Sequence, residues 1–210
     1  RRTATLNYNM EDRLTKSHNR WVQNETEALL GGSWQLTNQF FVATHALDWR
    51  NYEGYAYNAA TNTVDVTAYF LIWRNDVLVG DRAFVRNRFR VGGRDVRVMF
   101  GGEIQRNDMQ RGGNPTPNYV VPVVRLDPYN PTPHVDPGLP YVRQRDVLID
   151  TRAGFAEAVV EAAPRLQFVG GARWEQIGLS YTPYPTLATA SQTYRPATGR
   201  VGAVYSVTAA

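Results

Sequence analysis

The chain has 210 residues, 43% apolar and 20% charged, with a formal charge of +4. That is the length of one large domain or two small ones, and the composition of an ordered chain rather than a disordered one. Cysteine is absent, which excludes a disulfide scaffold, a thiolate metal site and a cysteine nucleophile together. The positive charge comes from 22 Arg and a single Lys, Lys16, scattered against 19 acids. A nucleic-acid binder gathers its basic residues on one face, so no nucleic-acid partner is implied. Arg1-Arg2 leads into Thr3-Ala4-Thr5 without an apolar run, so no export signal is readable. No window approaches the roughly 18 apolar residues of a membrane helix; short alternating membrane strands stay possible.

The dominant pattern is period two. In chain order, the strands are expected at about 2–10, 21–30, 34–48, 64–91, 96–106, 147–161, 166–180 and 195–207. Trp34, Leu36, Phe40 and Val42 alternate with Gln35, Thr37, Gln39 and Phe41, with Asn38 as the exception. Phe89 and Val91 lie on the opposite face from Arg86, Arg88 and Arg90. Val96, Val98, Phe100 and Ile104 alternate with Arg97, Met99, Gly101 and Glu103. Leu166, Phe168, Gly170, Ala172 and Trp174 repeat the pattern. Such runs are strands with one apolar face. No segment holds a helical period over three turns. The fourth strand is too long for one sheet and is expected to extend beyond it.

The connections are of two kinds. Gly31-Gly32-Ser33, Gly92-Gly93-Arg94-Asp95 and Ala162-Ala163-Pro164-Arg165 are tight. The stretches 11–20, 50–63, 107–146 and 181–194 read as long loops. Eight of the twelve prolines fall between Pro115 and Pro140, which excludes a central strand there. Short and long connections alternate, so an up-and-down sheet would put all short turns at one end and all long loops at the other. That asymmetry is the habit of outer-membrane barrels. The fold class is therefore all-β, an antiparallel up-and-down meander of about eight strands, either part of a larger transmembrane β-barrel or a soluble β-sandwich or lectin-like sheet.

Several segments resemble one family. Arg125-Leu126-Asp127-Pro128-Tyr129-Asn130-Pro131 resembles the Asp-x-x-Asn-Pro loop of TonB-dependent siderophore receptors. Phe168-Val169-Gly170-Gly171-Ala172-Arg173-Trp174 is similar to their Gly-Gly-x-Arg-aromatic strand. Tyr194-Arg195-Pro196-Ala197 through Tyr205 looks like the strand that follows it, and Phe155-Ala156-Glu157 precedes both. Each motif is weak alone; their order over 125–205 carries the likeness, and 1–110 matches only in strand and turn lengths. The resemblance implies a receptor that binds and imports ferric siderophores across a bacterial outer membrane. Residues 1–210 would be a partial barrel domain, with the plug, the segment that contacts TonB and the terminal strands outside it. The implied partners are a ferric siderophore, TonB through that plug, and outer-membrane lipid. No intrinsic cofactor is implied, since ferric iron arrives inside its chelate.

No catalytic signature is present: no HExxH, GxSxG, phosphate loop or GxGxxG, and His18, His45 and His134 lack ligand spacing. The expected activity is binding and transport, not catalysis. Trp49, Tyr52, Tyr55, Tyr57 and Tyr129 are candidates to stack on a chelate from loops, or to form an interfacial girdle. Trp34, Phe89 and Tyr205 are better placed for the girdle. Arg86, Arg88 and Arg90, with Arg97, could attract an anionic chelate or grip the plug; the plainer reading pairs them with Glu27 or Glu103 across the wall. Two rivals remain. One is a soluble β-sheet ligand-binding module, for example for carbohydrate, in which the apolar faces would meet a second sheet. The other is a barrel receptor for another nutrient such as a cobalamin or an oligosaccharide.

Overall fold

The computed structural model describes residues 6–115 and 123–207. The strands are β1 (Leu14–Gly31), β2 (Trp34–Asn58), β3 (Thr63–Val91), β4 (Arg94–Gly113), β5 (Val124–Leu126), β6 (Val142–Ala163), β7 (Leu166–Pro183), β8 (Ala190–Tyr194) and β9 (Ala197–Tyr205). They form one antiparallel sheet in the order β1-β2-β3-β4-β6-β7-β8. β5 adds to β3 beyond the end of β4, and β9 continues β8 along β7. At the junction the Glu175 amide donates to the Pro196 carbonyl at 3.0 Å. Among the described residues there is no helix.

The three short turns follow from local chemistry. Val91 pairs with Arg94, leaving Gly92 and Gly93 as a two-residue turn with φ of 58° and 78°. Two consecutive positive φ values match the twist of a tight hairpin and favour glycine. Gly31-Gly32-Ser33 and Pro164-Arg165 close the other two. All three lie at one end of the sheet. The β2–β3 turn, the 114–141 connection and the 184–189 connection lie at the other, as expected from the sequence.

The strand boundaries at that second end differ from the sequence expectation. Residues 6–13 form no strand, and 2–5 lie outside the described residues. β1 already starts at Leu14, inside the supposed 11–20 loop. The supposed 50–63 loop is mostly strand, because β2 runs to Asn58 and β3 begins at Thr63. The supposed 107–146 loop loses its ends to β4 and β6 and holds β5; the 181–194 loop holds β8. The reason is physical. Past the apolar stretch the strands carry polar residues on both faces, so backbone ladders continue while the period-two signal vanishes.

Register assigns the faces. Phe40, Val79, Val85, Phe100, Ile104, Ala156, Phe168 and Trp174 share one face, and among the described residues no second sheet covers it. Phe100, Phe168 and Trp174 are each 48% exposed and Ile104 59%. Asn38 interrupts this face because its amide donates to Asp81 at 2.7 Å. Trp34 packs edge-on against Phe100 at 5.8 Å, near the short turns.

The well-buried residues sit elsewhere, where β2 and β3 outrun their neighbours. Met10, Tyr52, Val66, Tyr69, Leu71 and Leu126 form a small core, packed by Tyr8, Val64, Val124, Leu139 and Tyr141. A kink makes this possible. Glu53 and Ala68 drop out of the ladder between Tyr52↔Tyr69 and Gly54↔Thr67, and Ala68 has φ of 54°. A Cβ on Gly54 would meet Thr67 Oγ1 at 2.4 Å. Each fully buried apolar side chain contributes about 1.5–3 kcal/mol, so this core holds residues 6–13 and 123–141 against the hairpin.

Candidate functional site

The face opposite the apolar one is a ladder of paired polar groups. Gln39 donates to Glu25 at 2.6 Å, and Gln35 to Glu27 at 3.1 Å. Glu103, only 8% exposed, is clamped by Arg82 at 2.5 Å and by Arg173 at 3.4 Å; Arg173 also binds Glu175 at 2.7 Å. A carboxylate so nearly buried is retained only because charged donors replace its water. Gly101 lets β3 and β4 approach beside this cluster, since a Cβ there would lie 2.2 Å from the Ala83 carbonyl oxygen. A depression of about 570 Å³ opens beside it, lined by Gln39, Arg82, Phe84, Met99, Phe155 and Arg173 among others. Further toward the long connections, Trp21 stacks on Phe41 with ring centroids 5.6 Å apart, and Gly80 leaves room for the Phe41 ring.

The sequence candidates scatter rather than converge. Arg86 binds Glu27 at 3.3 Å and Gln35 at 2.9 Å; Arg88 and Arg90 share Asp95 beside the Gly92-Gly93 turn. These arginines form a ladder at the short-turn end, far from the long connections. Glu103 is matched by Arg82 and Arg173, and Arg97 donates to Gln167 at 3.1 Å. At the other end, Tyr57 and Tyr129 are 62% and 67% exposed, and Tyr55 is 44% exposed with its hydroxyl on the Tyr52 carbonyl. The Asp127 carboxylate caps the amides of Tyr129 and Asn130, and Tyr8 braces the same turn through the Pro128 carbonyl. Trp49 is half-buried on the polar face. Tyr52 is the departure: it is 2% exposed, tilted against Tyr69 and edge-on to His134, so as placed it supports the loops and presents no stacking face.

Sequence reasoning missed the buttress behind those loops. Asp136 accepts bonds from the Tyr69 hydroxyl, from Arg50 at 3.2 Å and from the Gly138 amide at 2.8 Å. Burial pushes its carboxyl upward, but these donors outweigh burial and hold it below the ordinary range. The Tyr69 hydroxyl is driven well upward by burial and by that carboxylate. Tyr141 bridges Arg50 and Asp48. An acid and a tyrosine from distant parts of the chain carry no local signal, so only the folded chain joins them. Among the described residues, no three His, Asp or Glu side chains converge as a metal site requires.

No family model and no curated protein matches the sequence. Solved structures do match the fold. The siderophore receptor PiuA from Acinetobacter baumannii aligns over 96% of this chain and 32% of its own, with TM-score 0.77 and 16% identity. The ferric-catecholate import receptor Fiu from E. coli K12 aligns over 96% of this chain and 35% of its own, with TM-score 0.78 and 14% identity. BauA, the ferric preacinetobactin receptor from Acinetobacter baumannii, aligns over 91% and 28%, with TM-score 0.77 and 11% identity. The chain thus spans about a third of the length of such receptors, and its fold is that of a section of a siderophore-receptor barrel.

Proposed function

We propose that this chain is a section of the barrel domain of an outer-membrane receptor that binds ferric siderophores and imports them with TonB-coupled energy. The observation that carries the reading is the uncovered apolar face. A single sheet leaves Phe100, Ile104, Phe168 and Trp174 open, and among the described residues no second layer covers them. Water does not tolerate so large an apolar surface, whereas lipid does. A soluble sandwich would bury the same residues under a second sheet, which the described residues lack. The polar face then lines the lumen, the short turns lie at the inner side and the long connections outside. Recognition falls to the outer connections and the upper lumen wall, and the plug and TonB contact lie outside residues 1–210. Iron is cargo, bound through its chelator, and no resident cofactor is required.

Uptake tests the reading. The full-length gene is expressed in an outer-membrane mutant lacking its own siderophore receptors. Radio-iron accumulation from at least one ferric siderophore, abolished by deleting TonB or collapsing the proton gradient, is the expected result. Growth on cobalamin or an oligosaccharide without iron uptake would overturn it in favour of another nutrient.

A further inference from the structure

Three arginines stand in direct cross-strand register on the polar face near the long connections. Arg74 on β3 pairs with Arg111 on β4, and Arg111 pairs with Arg145 on β6. The register is regular from this row down to Arg82 and Glu103, so the three share the face of that cluster. Adjacent strands are roughly 5 Å apart, so three guanidinium stems arise within about 10 Å. Like charges directly opposite one another destabilise a sheet. One carboxylate is at hand: Asp76 binds Arg111, with one contact at 3.2 Å. Among the described residues Arg74 and Arg145 have neither an ion-pair nor a hydrogen-bond partner, and both are exposed. Elsewhere on this face Arg82, Arg86, Arg88, Arg90 and Arg173 meet carboxylates, and Arg97 meets the Gln167 side-chain amide.

The surroundings define what the row can hold. One rung toward the short turns lie Met109, Val147 and Tyr181, and on β2, one rung outward, lies Trp49. A compact ligand with several negative oxygens and aryl or apolar flanks matches that setting: oxygens meet guanidinium forks, and rings meet Trp49 and Tyr181.

We propose that Arg74, Arg111 and Arg145 form the anion-binding row for the chelate, and that the substrate class is a multiply anionic, aryl-bearing ferric chelate such as a tris-catecholate rather than an uncharged one. This rests on the receptor reading above. The row costs stability in the empty wall and recovers it when an anion is bound.

The test uses the full-length receptor and two probes of similar size, the trianionic iron(III) tris-catecholate and the uncharged iron(III) tris-hydroxamate. The intact receptor should bind the first, with affinity falling as salt rises. Replacing Arg74→Gln and Arg145→Gln together should weaken that binding about tenfold or more, and heat stability should hold or rise because repulsion is relieved. Tris-hydroxamate bound while tris-catecholate is not would leave the receptor reading standing and overturn this proposal. The same holds if the double variant binds tris-catecholate as before. Lost heat stability with unchanged affinity would assign the row to contact with another part of the polypeptide, and overturn the proposal too. Binding of neither probe, with no iron uptake, would remove both readings.

Discussion

The two ends of this sheet solve different problems with the same strands. At the short-turn end the strands alternate with few exceptions, apolar on one face and mostly polar on the other, and the chain turns at glycines or at Pro164-Arg165. At the long-connection end the apolar face ceases to be uncovered. There residues 6–13 and 123–141 fold onto β2 and β3, and the largest concentration of buried side chains in the described protein appears. One end is held by ladder bonds and by the medium around it. The other builds a water-excluding core of its own, because nothing around it would shield those groups. The difference teaches where stability and recognition separate: toward the turn end Arg86, Arg88 and Arg90 meet carboxylates, whereas the outer end keeps a buttress on one face and, on the other, arginines that have no partner among the described residues.

The contrast breaks most visibly at Tyr69. Truncation by Tyr69→Ala opens a cavity in the small core and leaves Asp136 without its phenolic donor. Losing a large buried aromatic costs about 3–5 kcal/mol. Because the cost falls on one local core, the effect is expected as increased amide exchange and proteolysis within 123–141 of the full-length receptor. Exchange at β4, β6 and β7 near the short turns should stay as it was. Tyr57→Ala supplies the comparison, since that ring is exposed and its hydroxyl meets only Asn62; it should leave exchange unaltered. Equal protection in both variants would mean that the core does not brace the loops.

The two ends also differed in legibility. The turn end was readable because an uncovered apolar face and a polar one impose period two, and Gly92-Gly93 announces its own turn. Even the exception at Asn38 had a reason, its bond to Asp81. The outer end was read as loop because a β ladder needs no apolar alternation. Tyr52–Asn58 is fixed by a hairpin ladder onto Thr63–Tyr69, and Asn107–Gly113 by pairing with β3 and β6, remote in sequence; composition encodes neither. The same blindness hid the arginine row. Arg111 and Arg145 fell inside the supposed 107–146 loop, and only strand register puts Arg74 beside them. Conversely, Arg86, Arg88 and Arg90 stood out in sequence because they alternate regularly, the very feature that lets each find a partner.

Acid sharpens the contrast by a smaller amount. Asp136 is held below the ordinary carboxylate value, so its contribution is complete above the unfolded pKa of about 3.9 and is lost as pH falls through the lower folded value. Tyr69 is raised, so its contribution is complete below the tyrosine value of about 10 and is lost only in strong alkali. His134, in the same segment and edge-on to Tyr52, is held below the imidazole value by burial, so its contribution is complete above about pH 6.5 and is lost as pH falls. Protection of 123–141 should therefore be flat between about pH 7 and 10 and fall on the acid side in two stages, His134 first and Asp136 last. Charge-assisted bonds of this kind contribute about 1.5–3 kcal/mol. Asp136→Asn should lower the plateau and flatten the limb below about pH 4, leaving the His134 step in place. A limb below about pH 4 that survives this change would put the sensitivity on other carboxylates.

The smallest effect is expected at the short-turn end. Arg88 and Arg90 share Asp95, and both arginine side chains are more than two-thirds exposed. Solvent screens such pairs, and ordering two long side chains offsets much of what attraction remains. Neither arginine lies near the long connections, so neither should touch a ligand arriving from that side. Arg88→Gln and Arg90→Gln, alone or together, should therefore leave the heat-induced unfolding of the full-length receptor within experimental scatter, at low salt and at high salt alike. Chelate affinity should be unchanged as well. A loss of affinity here, with Arg74→Gln and Arg145→Gln silent, would reverse the assignment of the two ends and move ligand contact to the inner side of the wall.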